Sequence, residues 1–253
     1  MLTTNATPGT PNWLDVGSPD VERTAAFYTA VFGWEARGFA PGGEYALFLH
    51  GNKTVGAVGT LDDGASSAWT IYFHSPDVDS TARAAREAGG RVRLEPVDVP
   101  GGGRLVQLTD PGGAEFAAFQ PGENPGLELV TEPGSLAWTE LHSPEPDTAR
   151  AFYRAVLGWD ATDMPMAEGR YTVFTPAGGH EDASFGGVAP LRPGHHPHWL
   201  PYIEVADTDA AVAGSTAAGG TVVMPAADYE GVGRMAWLAD PFGARFAVIT
   251  SSS

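Results

Sequence analysis

Cysteine is absent from the chain. That excludes disulfides, thiolate metal sites and a cysteine nucleophile. Basic residues are scarce: 14 lysines and arginines stand against 31 aspartates and glutamates, for a formal net charge of −17. Nucleic acid is therefore not an expected partner, because phosphates need cationic neutralisation. An acidic balance favours solubility, and in a concave site it attracts cations. Long hydrophobic runs are missing too. No stretch of about 18 apolar residues occurs, so no membrane span is expected. The opening residues, MLTTNATPGTPNW, lack the basic and apolar regions of a signal peptide. The expectation is a cytoplasmic protein with no membrane partner. No Ser–His–Asp motif lies in a nucleophile-elbow context. Gly101-Gly102-Gly103 has no lysine and no following helix, so it reads as a hairpin turn and not a phosphate cradle.

The chain does have enough apolar residues for a packed core, 43% of the total. It also repeats. Trp13–Trp34, WLDVGSPDVERTAAFYTAVFGW, returns at Trp138–Trp159 as WTELHSPEPDTARAFYRAVLGW. A second stretch, opening WTIYFHSPD at Trp69, returns as WLPYIEVAD at Trp199. In that pair Tyr72 matches Tyr202, Gly90 matches Gly220, Asp110-Pro111 matches Asp240-Pro241 and Phe116 matches Phe246. Such a repeat sets the architecture before any residue is interpreted.

Each unit reads as strand, helix and three strands. Trp13, Asp15 and Gly17 alternate with Leu14 and Val16, which is strand periodicity. Ser18-Pro19-Asp20 breaks the strand and offers a helix cap. Thr24, Phe27, Tyr28, Val31 and Phe32 then share one helical face, and Gly33 stops the helix. In the second unit Asp77 caps an alanine-rich helix ended by Gly89-Gly90, and strands follow around Val92, Leu105 and Phe116. The fold class is α+β, with four βαβββ modules at 11–60, 68–120, 136–190 and 198–250. They form a first domain over 11–120 and a second over 136–250, with a linker over 121–135 rich in proline and glycine. A module with one helix cannot cover both faces of its sheet. Two modules give a cup-shaped mixed sheet with helices outside. The composition leaves open whether modules pair one with two, or one with four and two with three.

The AFY-x-x-V-[FL]-G-W helix end, the DP-x-G-x-x-F last strand and the tandem modules resemble the vicinal oxygen chelate superfamily. That is the glyoxalase, bleomycin-resistance and extradiol dioxygenase group, and the likeness is nearest to its two-domain actinobacterial-type members. The resemblance covers about residues 11–250 and implies two glyoxalase-like domains. It also implies a metal held in the cup by His, Gln or Glu from first and last strands. Carried onto this chain, those positions fall at Trp13 and Trp138, Thr70 and Leu200, Ala117 and Ala247, and near 55–58 and 185–188. An indole has no free lone pair, and alanine and leucine have no donor atom. The expectation is therefore no metal and no cofactor.

Strand alternation gives the cup lining. Trp13, Asp15, Tyr72, His74, Phe119, Trp138, Tyr202 and Arg245 are the candidate ligand-binding residues, a mixture of aromatic faces and sparse polar groups suited to a small molecule. His142, with Glu140 and Glu204, is the candidate acid–base set. Gly17 stands where His142 would be in the first half, so the set is asymmetric. His195, His196 and His198 read as an exposed loop cluster, and His180-Glu181-Asp182 as a solvated turn.

Two readings follow. One is a metal-free binding protein of the bleomycin-resistance type, holding an aromatic or cationic natural product, as a monomer with an internal pseudo-dimer. The other is a metal-independent lyase, isomerase or hydroxylase-like enzyme using His142, Glu140 and Glu204. A third reading is a module whose cups are filled by their own side chains.

Overall fold

The repeated strand-to-helix corner has a local cause. In the computed structural model, which describes residues 2–252 apart from 6, 39–42, 62–63, 100–101, 125 and 166–169, Ser18 ends strand β1 (Pro11–Ser18). Its hydroxyl lies 2.6 Å from that of Thr24. Asp20 then caps helix α1 (Val21–Phe32), its carboxylate accepting from the Arg23 N–H at 2.9 Å. Gly33 closes the helix at φ 70°, a left-handed conformation that glycine adopts without a Cβ penalty. Thr24, Phe27, Tyr28 and Phe32 are buried, and Val31, on the flank of that face, is half-buried.

Three strands complete the first module: β2 (Glu35–Gly38), β3 (Tyr45–His50) and β4 (Lys53–Thr60). Gly51 and Asn52 both have positive φ, 55° and 65°, the two-residue hairpin turn that matches strand twist. The second module runs β5 (Ala68–His74), α2 (Val78–Glu87), β6 (Arg91–Asp98), β7 (Gly103–Thr109) and β8 (Glu115–Pro121). The third runs β9 (Ser135–Ser143), α3 (Pro146–Leu157), β10 (Asp160–Pro165), β11 (Arg170–Thr175) and β12 (Gly186–Pro190). The fourth runs β13 (His198–Glu204), α4 (Thr208–Ala217), β14 (Thr221–Tyr229), β15 (Gly233–Ala239) and β16 (Arg245–Ser251). Pro100 and Gly101, at the start of the expected Gly-rich turn, lie outside the described residues.

Two eight-stranded sheets result. Their orders are β2-β3-β4-β1-β5-β8-β7-β6 and β10-β11-β12-β9-β13-β16-β15-β14. Both are mixed: β1 with β4 and β5 with β8 pair parallel, while the hairpin neighbours pair antiparallel.

Packing groups the chain differently. One compact unit comprises 1–13, 70–126 and 138–199; the other comprises 14–69, 127–137 and 200–253. In the first, α2 packs with α3; in the second, α1 packs with α4. The second glycine of each Gly-Gly pair explains how closely. A Cβ at Gly90 would lie 2.7 Å from the Phe152 ring, and one at Gly220 would lie 2.9 Å from Phe27.

Each unit has an aromatic core with the same internal wiring. In the first, Tyr153 stacks on Trp159 at 4.7 Å, and Phe73, Phe174 and Phe185 close around Trp159. The Tyr153 hydroxyl accepts from Trp199 Nε1 at 2.9 Å and donates to Asp110 Oδ2 at 3.2 Å. In the second, Tyr28 accepts from Trp69 Nε1 at 2.8 Å and donates to Asp240 Oδ2 at 3.4 Å. An indole only donates, so it dictates which way each tyrosine proton points. The repeated FY, W and DP signatures are therefore one buried device made twice. Trp34 and Trp159 are fastened as well, donating to the carbonyls of Gly134 and Gly9 at 2.8 and 2.7 Å. Within the stretch read as a linker, Leu127, Leu129 and Val130 are buried, and the Glu128 carboxylate accepts from the Thr54 N–H at 2.8 Å.

Candidate functional site

The β9 strand sends Trp138, Glu140 and His142 to one face by simple alternation. Glu140 and His142 meet: His142 Nε2 lies 2.9 Å from Glu140 Oε1. His142 is 2% exposed and Glu140 13%, so the pair is nearly dry. On β11, Tyr171 reaches the same carboxylate, and its hydroxyl also receives a 2.9 Å hydrogen bond from Trp138 Nε1. Burial, then the Glu140 charge, pushes the Tyr171 hydroxyl well above the ordinary tyrosine range. Tyr171 is therefore a neutral donor to Glu140. His198, the first residue of β13, stacks its ring on His142 at 4.8 Å and 9°. Its Nδ1 lies 2.7 Å from the His196 carbonyl. All five residues belong to one compact unit.

The register shows why the tyrosine can reach. Gly187 on β12 is the parallel partner of Glu140. A Cβ there would lie 2.6 Å from the Tyr171 hydroxyl and ring. Gly187→Ala is expected to push Tyr171 off Glu140 and cost about 1–3 kcal/mol, as overpacking does. Chemical denaturation of the variant checks this; unchanged stability with the Trp138–Tyr171 bond intact would contradict it.

Glu140 and His142 are thus brought together as the sequence suggested. Glu204 belongs to the other unit, where its carboxylate accepts from the Ser251 N–H and hydroxyl at 2.9 and 2.6 Å. Among the ligand-binding candidates, Trp13, Tyr72, Phe119 and Tyr202 are only 8, 4, 7 and 3% exposed. Tyr202 accepts from Trp237 Nε1 at 3.0 Å, and Asp15 accepts from the Tyr45 hydroxyl at 3.2 Å. Trp138 and His74 are half-buried and Arg245 is exposed. His74 lines an open recess of about 500 Å³ with Thr4, Asn5 and Gln120. The expectation that His198 sits in an exposed loop is corrected. It opens a strand and is half-buried against His142, because the loop before it ends at Pro197. His180 to Asp182 does form a solvated turn, ending in a short 3-10 segment. Tyr171, Tyr45 and Trp237 went unnoticed in the sequence. The signal for Tyr171 was its match to Tyr45, each on the second strand after the repeated helix.

Paired βαβββ modules joined into eight-stranded mixed sheets are the fold of the glyoxalase-type proteins. A model of the Glyoxalase/Bleomycin resistance protein/Dioxygenase superfamily matches residues 10–118 and 135–248, and the chain belongs to that family. It is 38% identical over 265 residues to the anthracycline biosynthesis protein DauV of Streptomyces sp. (strain C5), covering 97% of this chain and 94% of that one. It is 37% identical over 252 residues to CFP32 of Mycobacterium tuberculosis (strain CDC 1551 / Oshkosh), whose name carries the word glyoxylase; the match covers 95% and 94% of the two chains. The Mn(II)-bound glyoxalase from Novosphingobium aromaticivorans shares the fold at a TM-score of 0.68 and 17% identity, over 96% of this chain and 82% of that one.

The residues present do not fit a metal at the family's positions. The Trp138 indole nitrogen has no free lone pair and points its hydrogen at Tyr171, and Ala117 and Ala247 are buried with no side-chain atom that could ligate an ion. Among the described residues, no group of three or more His, Cys, Asp or Glu is placed to hold an ion. The His142 and His198 rings are nearly parallel, so their in-plane lone pairs do not converge on one point. Among the described residues, no helix is long and apolar enough to cross a membrane.

Proposed function

We propose that the protein binds an aromatic or cationic small molecule directly, without a bridging divalent ion. The observation that carries this reading is Trp138. It occupies a position where the family resemblance implies a metal ligand, and its N–H is committed to Tyr171 at 2.9 Å. Indole and phenol offer π faces and a hydrogen-bonding edge in place of an ion, which suits a planar oxygen-bearing molecule. The acidic balance of the chain suits a cationic substituent. The similarity to an anthracycline biosynthesis protein over nearly the full length of both chains supports a fused aromatic natural product as the ligand class.

Fluorescence titration with an anthracycline tests the proposal, run before and after exhaustive dialysis against a chelator. The expected result is saturable binding with the same affinity in both, and less than a tenth of an equivalent of divalent metal by elemental analysis, a threshold of about tenfold below a filled site. Binding that disappears on chelation and returns with one added metal would overturn it.

A further inference from the structure

Modules two and four finish the same corner differently. In module four, Glu204 ends β13, and its carboxylate accepts from the Ser251 N–H at 2.9 Å and the Ser251 hydroxyl at 2.6 Å. In module two the equivalent residues are His74 and Pro121, since 204 − 74 and 251 − 121 both give 130. Gln120 and Thr250 confirm the match. Each accepts from the first N–H of its module's helix, Val78 at 3.2 Å and Thr208 at 3.1 Å. Proline has no N–H to give and histidine has no carboxylate to receive one, so module two cannot form the clamp. The open recess of about 500 Å³ lies at this corner.

Both walls of the recess are fixed. One is the N-terminal segment, fastened on either side of Thr4 and Asn5. Leu2 is only 5% exposed, and Gly9 donates to the His74 carbonyl at 2.8 Å while its own carbonyl accepts from Trp159 Nε1. The other wall is the end of β8, where a Cβ on Gly122 would lie 2.0 Å from the Gly102 carbonyl oxygen. A site held in this way needs little ordering when a guest enters. In a chain with 31 acidic residues, the lining contains no carboxylate, and no guanidinium or ammonium either. It offers the Thr4 hydroxyl, the Asn5 and Gln120 carboxamides, and the apolar rings of Pro76 and Pro121. Gln120 accepts from Val78 with its oxygen and has two N–H hydrogens to donate. Groups that both donate and accept match hydroxyls, which do the same. The volume falls in the range of small-molecule sites, about 300–1,000 Å³. His74 is the strand partner of Phe119, and Tyr72 lies two residues back on the same face, so the recess adjoins an aromatic strand face.

We propose that this recess is a subsite for an uncharged, hydroxyl-rich ring, a sugar carried by the aromatic guest. The aromatic part lies along the adjoining strand face, and the sugar hydroxyls pair with Thr4, Asn5 and Gln120. Module four has no such subsite, because Glu204 and Ser251 close its corner. The inference rests on the small-molecule reading above and adds to it the substituent that the guest carries.

The test is fluorescence titration with an anthracycline glycoside whose sugar carries no amine, and with its aglycone. Leaving out the amine removes the pull of the acidic chain on a cation. The glycoside is expected to bind about tenfold or more tightly than the aglycone. His74→Glu combined with Pro121→Ser rebuilds the module-four clamp, and this double variant should bind both compounds with the wild-type aglycone affinity. Asn5→Ala, on an exposed stretch, should weaken binding of the glycoside alone. If circular dichroism shows that the double variant does not fold, Asn5→Ala decides. Equal affinities for the two compounds in the wild type overturn the subsite and leave the small-molecule reading standing. A glycoside preference that survives the substitutions does the same. Failure of both compounds to bind overturns the small-molecule reading and this inference with it.

Discussion

Trp159→Ala is expected to remove about 3–5 kcal/mol of stability from the unit that contains it, the range for deleting a large buried aromatic. Trp159 is 1% exposed and packs between Tyr153, Phe73, Phe174 and Phe185, at centroid distances of 4.7 to 5.0 Å. Its indole also donates to the Gly9 carbonyl at 2.7 Å. The substitution opens a cavity and removes one of the hydrogen bonds that hold the N-terminal segment, which keeps its main-chain bonds to His74. Trp34→Ala is its counterpart in the other unit, where the lost bond is to Gly134. Urea denaturation followed by fluorescence and circular dichroism measures both. A loss below about 1 kcal/mol in either would mean that the aromatic cluster is not the core it looks to be.

Asp110→Ala is the second large effect. One Asp110 oxygen accepts from the N–H groups of Gly113 and Ala114, each at 2.8 Å, and the other accepts from the Tyr153 hydroxyl. Removing the carboxylate takes the acceptor from the Ala114 N–H and the Tyr153 hydroxyl in a site that is 3% exposed, while the Gly113 N–H keeps the Asp110 carbonyl at 3.1 Å. Each unsatisfied group costs about 1–3 kcal/mol, so a loss of about 2 kcal/mol or more is expected. Burial also pushes the Asp110 carboxyl above the ordinary aspartate range, against the opposing pull of those N–H groups and of Tyr153. The sign follows from linkage. Because the folded state holds this proton more tightly than the unfolded state, the contribution is fully present below the unfolded value. It is lost as pH rises through the raised folded value. Asp240, buried likewise against Tyr28, shares that sign. Other carboxyls run the opposite way. Glu128 is held below the ordinary range, first by the Thr54 N–H, and its contribution is lost as pH falls. The Asp110 share is therefore read as the difference between wild type and Asp110→Asn across the acid range. That difference should shrink the advantage of wild type as pH rises from about 4. A difference independent of pH would rule out the raised carboxyl.

Much of the fold was legible because local rules act within a few residues. The Asp20 and Asp77 caps and the Gly33 stop each depend on the chemistry of one short segment. Strand β2 was not legible: its four residues are all exposed at a sheet edge and carry no apolar alternation. The second glycine of each Gly-Gly pair was legible as a helix stop but not as the seat of Phe152 or Phe27, since those contacts come from another module.

The candidate site divides in the same way. Glu140 and His142 are two apart on one strand, so alternation alone puts them on one face. Tyr171 comes from a strand two positions away in the sheet order, admitted by the missing side chain of Gly187. His198 comes from a different module and looked like loop composition until its strand was seen.

By itself the amino-acid sequence determined the repeat, the four βαβββ modules, the family and the poverty of metal-binding atoms at the family's ligand positions. These follow from periodicity, capping and donor chemistry, all of which are local. Only the tertiary structure decided which modules share a core, which way the buried tyrosine protons point, and that His142 lies against Glu140 and His198 while Glu204 is bonded to Ser251. Those outcomes depend on side chains distant in the chain competing for the same buried space and the same few hydrogen-bond partners. No local pattern records the result of that competition.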